Sequence, residues 1–75
     1  MKHSDDYYYD IIRTNIKKIR KEKNLTQEQL AEKAGMSYDY LTEIESLKRK
    51  KSFSIAVLGR IADALEVDIK DFFNK

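Results

Sequence analysis

Apolar side chains recur every three to four positions through most of the 75-residue chain, which is the spacing of helices that bury one face. These positions fall into successive groups: Ile12, Ile16 and Ile19; Leu30, Ala31 and Ala34; Leu41 and Ile44; Ile55, Leu58, Ile61, Ala62 and Leu65; and Ile69, Phe72 and Phe73. Each group corresponds to one helix. The pattern therefore predicts an all-α, compact, five-helix domain.

Capping residues predict where the central pair of helices begins and ends. Thr26 and Gln29 have the spacing of a capping box, so a helix should start one residue after Thr26. Gly35 can take the left-handed conformation that ends this helix without steric cost. Ser37 can then cap the next helix, and Ala31 is small enough to let the two helices cross closely. We expect two short helices joined by a tight turn.

The N-terminus is polar and acidic. We expect residues 1–6 to form a disordered tail, followed by one domain over residues 7–75. The single histidine, His3, lies in this tail and should be exposed to solvent. Because the chain has no cysteine and no second histidine, we predict no metal site. The tyrosines at 7–9 should begin the first helix, which ends near Lys23.

The helix pair and its flanks resemble the helix-turn-helix of Cro and phage-repressor (XRE-type) DNA-binding proteins. The resemblance is carried by Gln27, Ala31, Gly35, Leu41 and Ile44, and by the flanking segments IKKIRKEKN, YLTEIE and SIAVLGRIADALEVDIKDFF. It extends over roughly residues 12–73, nearly the whole chain. It implies a lambda-repressor-like fold that binds double-stranded DNA, with the helix over residues 38–46 reading the major groove.

The resemblance also implies roles for individual residues. Base contacts are expected from the outward positions of the recognition helix, which are Tyr38, Asp39, Thr42 and Glu43. Phosphate contacts are expected from Lys17, Arg20, Gln27, Tyr40, Lys48, Arg49, Lys50 and Lys51. In resembling proteins an arginine at the position of Arg20 pairs with a glutamate at the position of Glu45. Such a pair either orients the arginine toward a phosphate or serves as a tertiary ion pair, and Glu45, Gly35 and Ala31 are assigned to structural support.

Charge is distributed unevenly along the chain, although the net charge is only +2. Residues 13–51 carry eleven basic and six acidic side chains, whereas the rest carry four basic and seven acidic ones. Such asymmetry is expected of a surface that faces phosphates, or of a charged face exposed to water.

Two features depart from the pattern of the resembling proteins. The recognition helix has no basic residue and three acidic ones, Asp39, Glu43 and Glu45. Leu47 stands where a glycine is usual, and the basic run at 48–51 makes the following connection longer. This run can supply the phosphate contacts that the helix lacks, or it can be a solvated loop.

Apolar residues are concentrated at the C-terminus of this small chain: Leu65, Val67, Ile69, Phe72 and Phe73. In resembling repressors the fifth helix often joins two copies, which implies a homodimer on an inverted-repeat operator. Alternatively, these residues close the core of the monomer.

Catalysis is not expected, because the only histidine lies in the tail and no nucleophile, base or cofactor site is evident. No cofactor or small-molecule ligand is predicted. The chain has neither a membrane-spanning apolar run nor a signal-peptide core, so a cytoplasmic protein is expected. Two functions remain. One is a sequence-specific, double-stranded-DNA-binding transcriptional regulator, a homodimeric repressor or controller protein. The other is a protein-interaction module on the same fold, such as an antitoxin or a regulator's partner subunit.

Overall fold

The computed structural model describes residues 2–75, which form four α-helices and a short 3₁₀ helix and contain no strand. The elements are α1 (Asp5–Glu22), α2 (Gln27–Ala34), α3 (Tyr38–Glu45), α4 (Ile55–Leu65) and the C-terminal 3₁₀ helix (Ile69–Phe73). The predicted all-α class is confirmed. The fifth element is 3₁₀ and not α, as is common for a single short turn at the end of a chain.

The first helix begins earlier than predicted. Asp5 and Asp6 form the first turn of α1, so they are not part of a tail. The Ser4 hydroxyl accepts a hydrogen bond from the Tyr7 amide, and carboxylates are favoured at a helix N-terminus by the helix dipole. His3 is exposed, as predicted, and its ring stacks on that of Tyr7 with centroids 3.8 Å apart. The part of the predicted tail at residue 1 lies outside the described residues.

The core is built from one face of each helix. Its buried apolar residues are Ile12, Ile16, Leu30, Ala31, Ala34, Leu41, Ile44, Leu58, Ile61, Ala62, Leu65 and Phe72. α1 packs against α3 and the 3₁₀ helix, while α2 packs against α3 and α4. Ala31 is 2% exposed, which agrees with its expected place where α2 lies against its neighbours. Ile55 departs from the pattern, because it is 70% exposed at the first position of α4.

The apolar C-terminus mainly closes the monomer core. Leu65 and Phe72, both assigned to a dimer surface by the sequence, are fully buried. They cannot form such a surface without opening the core, so this part of the expectation is wrong. Val67 and Ile69 are half-buried and pack against the core. Only Phe73 remains largely exposed among the five residues.

The turn between α2 and α3 depends on a glycine and on an arginine from a distant helix. Gly35 has φ 68° and ψ 39°, which is the predicted left-handed cap of α2. Arg60 of α4 donates from Nε to the Ala34 carbonyl at 3.2 Å and from Nη2 to the Gly35 carbonyl. The other glycine, Gly59, lies inside α4 and has no such close neighbour, because a Cβ at Gly59 would meet no atom within 4 Å.

The two glycines therefore predict opposite effects of alanine. Gly35→Ala should lower the free energy of unfolding by roughly 1–2 kcal/mol, because alanine is strained at positive φ. Its Cβ would also lie 3.1 Å from Nη2 of Arg60. Gly59→Ala should raise the free energy of unfolding by about 0.5–1 kcal/mol, because it stiffens a helix interior without a clash. Urea unfolding followed by circular dichroism measures both, and changes of the same sign would contradict these roles of the two glycines.

Candidate nucleic-acid interface

α3 presents its polar positions to solvent because its apolar positions are anchored in the core. Leu41 and Ile44 are completely buried, and the Ser37 hydroxyl caps the helix by accepting from the Tyr40 amide at 3.1 Å. The four predicted base-contact residues all retain accessible surface: Tyr38 and Asp39 are exposed, and Thr42 and Glu43 are half-buried. The helix thus offers solvent-accessible side chains at the positions that the sequence predicts for base reading.

A buried ion pair connects α1 to the end of α3. Arg20 Nε lies 2.8 Å from Glu45 Oε2, and Arg20 Nη2 lies 3.1 Å from Oε1. Arg20 Nη1 also donates to the Leu25 carbonyl at 2.8 Å, and the Gln27 amide donates to Glu45 Oε1 at 3.0 Å. Because these bonds direct the Arg20 guanidinium inward, the geometry supports the tertiary ion pair over a direct phosphate contact. Gln27 also donates to the Glu45 carboxylate, so the geometry supports a structural role for Gln27 over a direct phosphate contact.

A second buried arginine was not predicted from the sequence. Arg13, which lies on α1, is 0% exposed. Its Nε donates to Asp10 Oδ1 at 2.9 Å, Nη1 to the Ile44 carbonyl at 2.7 Å and Nη2 to the Lys51 carbonyl at 3.0 Å. Arg13 therefore ties α1 to α3 and to the segment after it. The spacing of Arg13, Ile16 and Arg20 along one helical face was the signal that could have identified it.

The segment Ser46–Lys51, here called the basic loop, has a defined conformation. The Ser46 hydroxyl accepts from the amides of Lys48 and Arg49, each at 3.2 Å. Lys50 adopts a left-handed conformation with φ 53°. Together with the bond from Arg13 to the Lys51 carbonyl, these contacts hold the loop beside α3.

Three of the four cations in the basic loop face a carboxylate. Arg49 Nη2 lies 2.8 Å from Glu43 Oε2, and Lys51 Nζ lies 3.4 Å from Glu43 Oε1. Lys50 Nζ lies 2.6 Å from Asp10 Oδ2. The hydrogen bond from Lys50 lowers the pKa of Asp10, and the bond from Arg13 adds to this against the opposing effect of burial. Asp10 thus remains ionised in the neutral range.

Two predicted phosphate contacts are brought together on the surface. Lys17 of α1 and Lys48 of the basic loop are both exposed, and they line one depression with Thr14, Glu45, Ser46 and Leu47. Neither lysine forms an ion pair within residues 2–75.

Tyr40, also a predicted phosphate contact, is half-buried, and Lys51 Nζ lies 5.5 Å from its ring centroid.

The acidic character of α3 is largely compensated within the fold. Glu45 is neutralised by Arg20, and Glu43 is neutralised by two cations of the basic loop. Asp39 is exposed and has no ion pair within the described part of the chain. Repulsion of a polyanion by α3 is therefore weaker than the sequence alone suggests.

Residues 2–75 contain no group of three or more histidine, cysteine, aspartate or glutamate side chains arranged to hold a metal ion. Over the same residues, no helix combines the length and apolarity needed to span a membrane.

Comparison with known proteins identifies a matching family and a similar phage repressor. The helix-turn-helix family HTH_3 matches residues 16–72. An immunity repressor protein of Bacillus phage phi105 is 46% identical over 54 residues, which cover 72% of this chain and 36% of the repressor. The chain thus spans about a third of the length of this curated relative.

Solved structures share the fold. An HTH_3 family transcriptional regulator from Vibrio cholerae has a TM-score of 0.84 at 31% identity, covering 93% of this chain and 38% of that protein. The restriction-modification controller protein C.Esp1396I, bound to a 25 base pair operator site, has a TM-score of 0.78 at 36% identity. That match covers 88% of this chain and 84% of the controller protein.

Breaking the buried pair of Arg20 and Glu45 should cause a large loss of stability, and replacing both residues should reverse most of it. Arg20→Met should lower the free energy of unfolding by about 3 kcal/mol or more, because it leaves a buried carboxylate without its cation. Adding Glu45→Met should restore most of the loss, because two apolar side chains can replace the pair. Arg49→Met, which breaks an exposed pair, is the matched control and should cost less than about 1 kcal/mol. Urea unfolding of these variants measures the coupling, and equal costs for Arg20→Met and Arg49→Met would refute it.

Proposed function

The chain belongs to the helix-turn-helix family HTH_3, and from this premise we propose that it is a sequence-specific, double-stranded-DNA-binding transcriptional regulator. The observation that carries the proposal is the placement of α3. Tyr38 and Asp39 at its capped N-terminus are exposed, and the basic loop is fixed beside it. An α-helix with polar outward residues and flanking cations is suited to the major groove. The operator complex of the similar C.Esp1396I supports this function.

Base reading is assigned to the exposed half of α3. Asp39 can accept a hydrogen bond from the N4 amino group of cytosine. Thr42 donates its hydroxyl hydrogen to the Asp39 carbonyl at 2.8 Å, so its oxygen can still accept, and its methyl can contact a thymine methyl. Tyr38 is 48% exposed and can contribute its ring or its hydroxyl. Glu43 differs from these three because its carboxylate is already paired.

Phosphate binding is assigned first to Lys17 and Lys48, whose side chains border one depression beside α3. Arg49, Lys50 and Lys51 add positive charge from the same loop, although their ion pairs must exchange for phosphates. Sequence-independent contacts would then lie next to sequence-reading positions, as a regulator requires.

The alternative of a protein-interaction module, such as an antitoxin or a partner subunit, has less support. It rests on an acidic recognition helix, and the ion pairs of Glu43 and Glu45 reduce that acidity. We propose no catalytic role, and we place the regulator in the cytoplasm, where its DNA would be.

We further propose that the regulator is a homodimer, acting as a repressor or controller protein. Exposed apolar side chains of Tyr8, Ile55 and Phe73 line one groove of about 260 Å³, together with the edge of the core at Leu58. A standard interface covers about 800 Å² on each partner, roughly one sixth of the 5039 Å² surface of this chain. A second copy is the occupant favoured by a family that reads inverted repeats with two-fold symmetry.

Selection of bound duplexes from a random DNA pool at physiological salt tests the function. We expect enrichment of an inverted repeat whose half-site centres lie about one helical turn, roughly 10 base pairs, apart. Thr42→Ala should change the selected bases, whereas Lys17→Ala with Lys48→Ala should weaken binding to all duplexes and lower its salt dependence. Failure to enrich any sequence would contradict the proposal and direct the search to a protein partner.

The dimer surface is tested by Ile55→Asp. Aspartate is tolerated at the start of a helix, so α4 should remain folded while a charge is placed in the groove. We expect the dimer to dissociate to monomers in sedimentation equilibrium. Leu47→Asp, which alters an exposed apolar residue of the basic loop, is the matched control and should leave the dimer intact. A monomeric unmodified chain, or a dimeric Ile55→Asp variant, would be inconsistent with this surface.

A further inference from the structure

Glu43 connects the two proposed contact surfaces. It lies on α3 among the base-reading positions, yet both of its carboxylate oxygens face cations of the basic loop. Oε2 lies 2.8 Å from Arg49 Nη2, and Oε1 lies 3.4 Å from Lys51 Nζ. The Glu43 side chain is 27% exposed, whereas that of Arg49 is 64% exposed. The carboxylate is thus partly covered by side chains that remain open to solvent.

The loop backbone is held independently of Glu43. Arg13, which is fully buried, binds the carbonyl of Ile44, shortly before the loop, and that of Lys51, the last residue of the loop. The Ser46 hydroxyl fixes the turn between them. Because the backbone is anchored in this way, exchange of the Glu43 ion pairs requires only side-chain rotation. Exposed ion pairs contribute little net free energy, so such an exchange is accessible.

The Glu43 carboxylate cannot bind the two loop cations and accept a hydrogen bond from a base at the same time. If Arg49 and Lys51 turn to phosphates while Glu43 has no other donor, an uncompensated negative charge faces the polyanion. If a base presents an amino group to Glu43, as cytosine N4 does, the carboxylate gains a new partner. The two cations are then free to bind phosphates without that electrostatic cost. Base identity at one position would therefore control two phosphate contacts.

Resting on the DNA-binding function proposed above, we propose that Glu43 is a specificity-determining residue that couples base reading to phosphate binding. On a wrong sequence it retains Arg49 and Lys51. On the correct sequence it exchanges these two cations for a base amino group and releases them to the DNA backbone. Glu43 thus lowers affinity for unrelated DNA and does not simply add one base contact.

Glu43→Gln tests this coupling, because it removes the charge while keeping the shape of the side chain. Affinities for a selected duplex and for a scrambled duplex are measured by fluorescence anisotropy over a range of salt concentrations. On the scrambled duplex we expect about fivefold tighter binding at low salt and a salt dependence steeper by roughly two phosphate contacts, a slope change of about −1.8. On the selected duplex the slope should stay constant, since both cations already bind phosphates there.

Two controls separate this effect from a general change of charge. Glu22→Gln removes the same charge at the end of α1, where Glu22 is exposed beside Val67 and Asp71, and should leave both slopes unchanged. In a background carrying Arg49→Ala and Lys51→Ala, Glu43→Gln should no longer steepen the slope on scrambled DNA. Circular dichroism confirms that each variant is folded.

The outcomes distinguish this inference from the proposed function. If the unmodified chain selects a sequence but Glu43→Gln behaves like Glu22→Gln, only the assignment of Glu43 is overturned. The same holds if Glu43→Gln changes the slope equally on both duplexes. If the unmodified chain binds no duplex, or binds all duplexes alike, the proposed function fails and the coupling fails with it.

Discussion

The proposed DNA-binding surface depends on the burial of the Arg13 guanidinium. A buried cation is tolerated only when its donors are satisfied, and Arg13 satisfies them with Asp10 and with the carbonyls of Ile44 and Lys51. The first carbonyl lies shortly before the basic loop, and the second belongs to the last residue of the loop. The requirement to satisfy one guanidinium therefore determines where the loop lies relative to α3. Arg20 acts in the same way further along α1, where its partner is a carboxylate of α3.

This arrangement explains how an acidic helix can face DNA. The carboxylates of Glu43 and Glu45 have cationic partners on other elements. The surface around α3 is therefore less negative than the residues of α3 alone indicate. The cations Lys17 and Lys48, which form no ion pair within residues 2–75, lie beside this neutralised face. In the proposed function, affinity and selectivity have separate sources: cations beside α3 would attract any duplex, and the outward side chains of α3 would discriminate among duplexes.

Features encoded by local chemistry could be predicted from the sequence, and features that depend on distant contacts could not. The capping box at Thr26 and the left-handed cap at Gly35 involve neighbours within four residues, and both are present. The pair of Arg20 and Glu45 was predicted only through a family resemblance. The support of Gly35 by Arg60 joins residues 25 positions apart, and no periodicity indicates it. Ile55 is exposed at the first position of α4 although it continues the apolar stripe of that helix, so the stripe alone could not reveal its exposure.

The proposed dimer groove and the basic loop are built on shared packing. The rings of Tyr9 and Phe53 line the groove, and they meet edge to face with centroids 4.9 Å apart. The same rings lie 5.9 Å and 5.8 Å from Cζ of Arg13, so they also cover the guanidinium that holds the loop. The Tyr9 hydroxyl donates to the Phe53 carbonyl at 3.3 Å, which helps to hold the two rings in this arrangement. A second copy seated in the groove would therefore pack against the residues that enclose Arg13, and assembly and loop placement would then depend on one set of contacts.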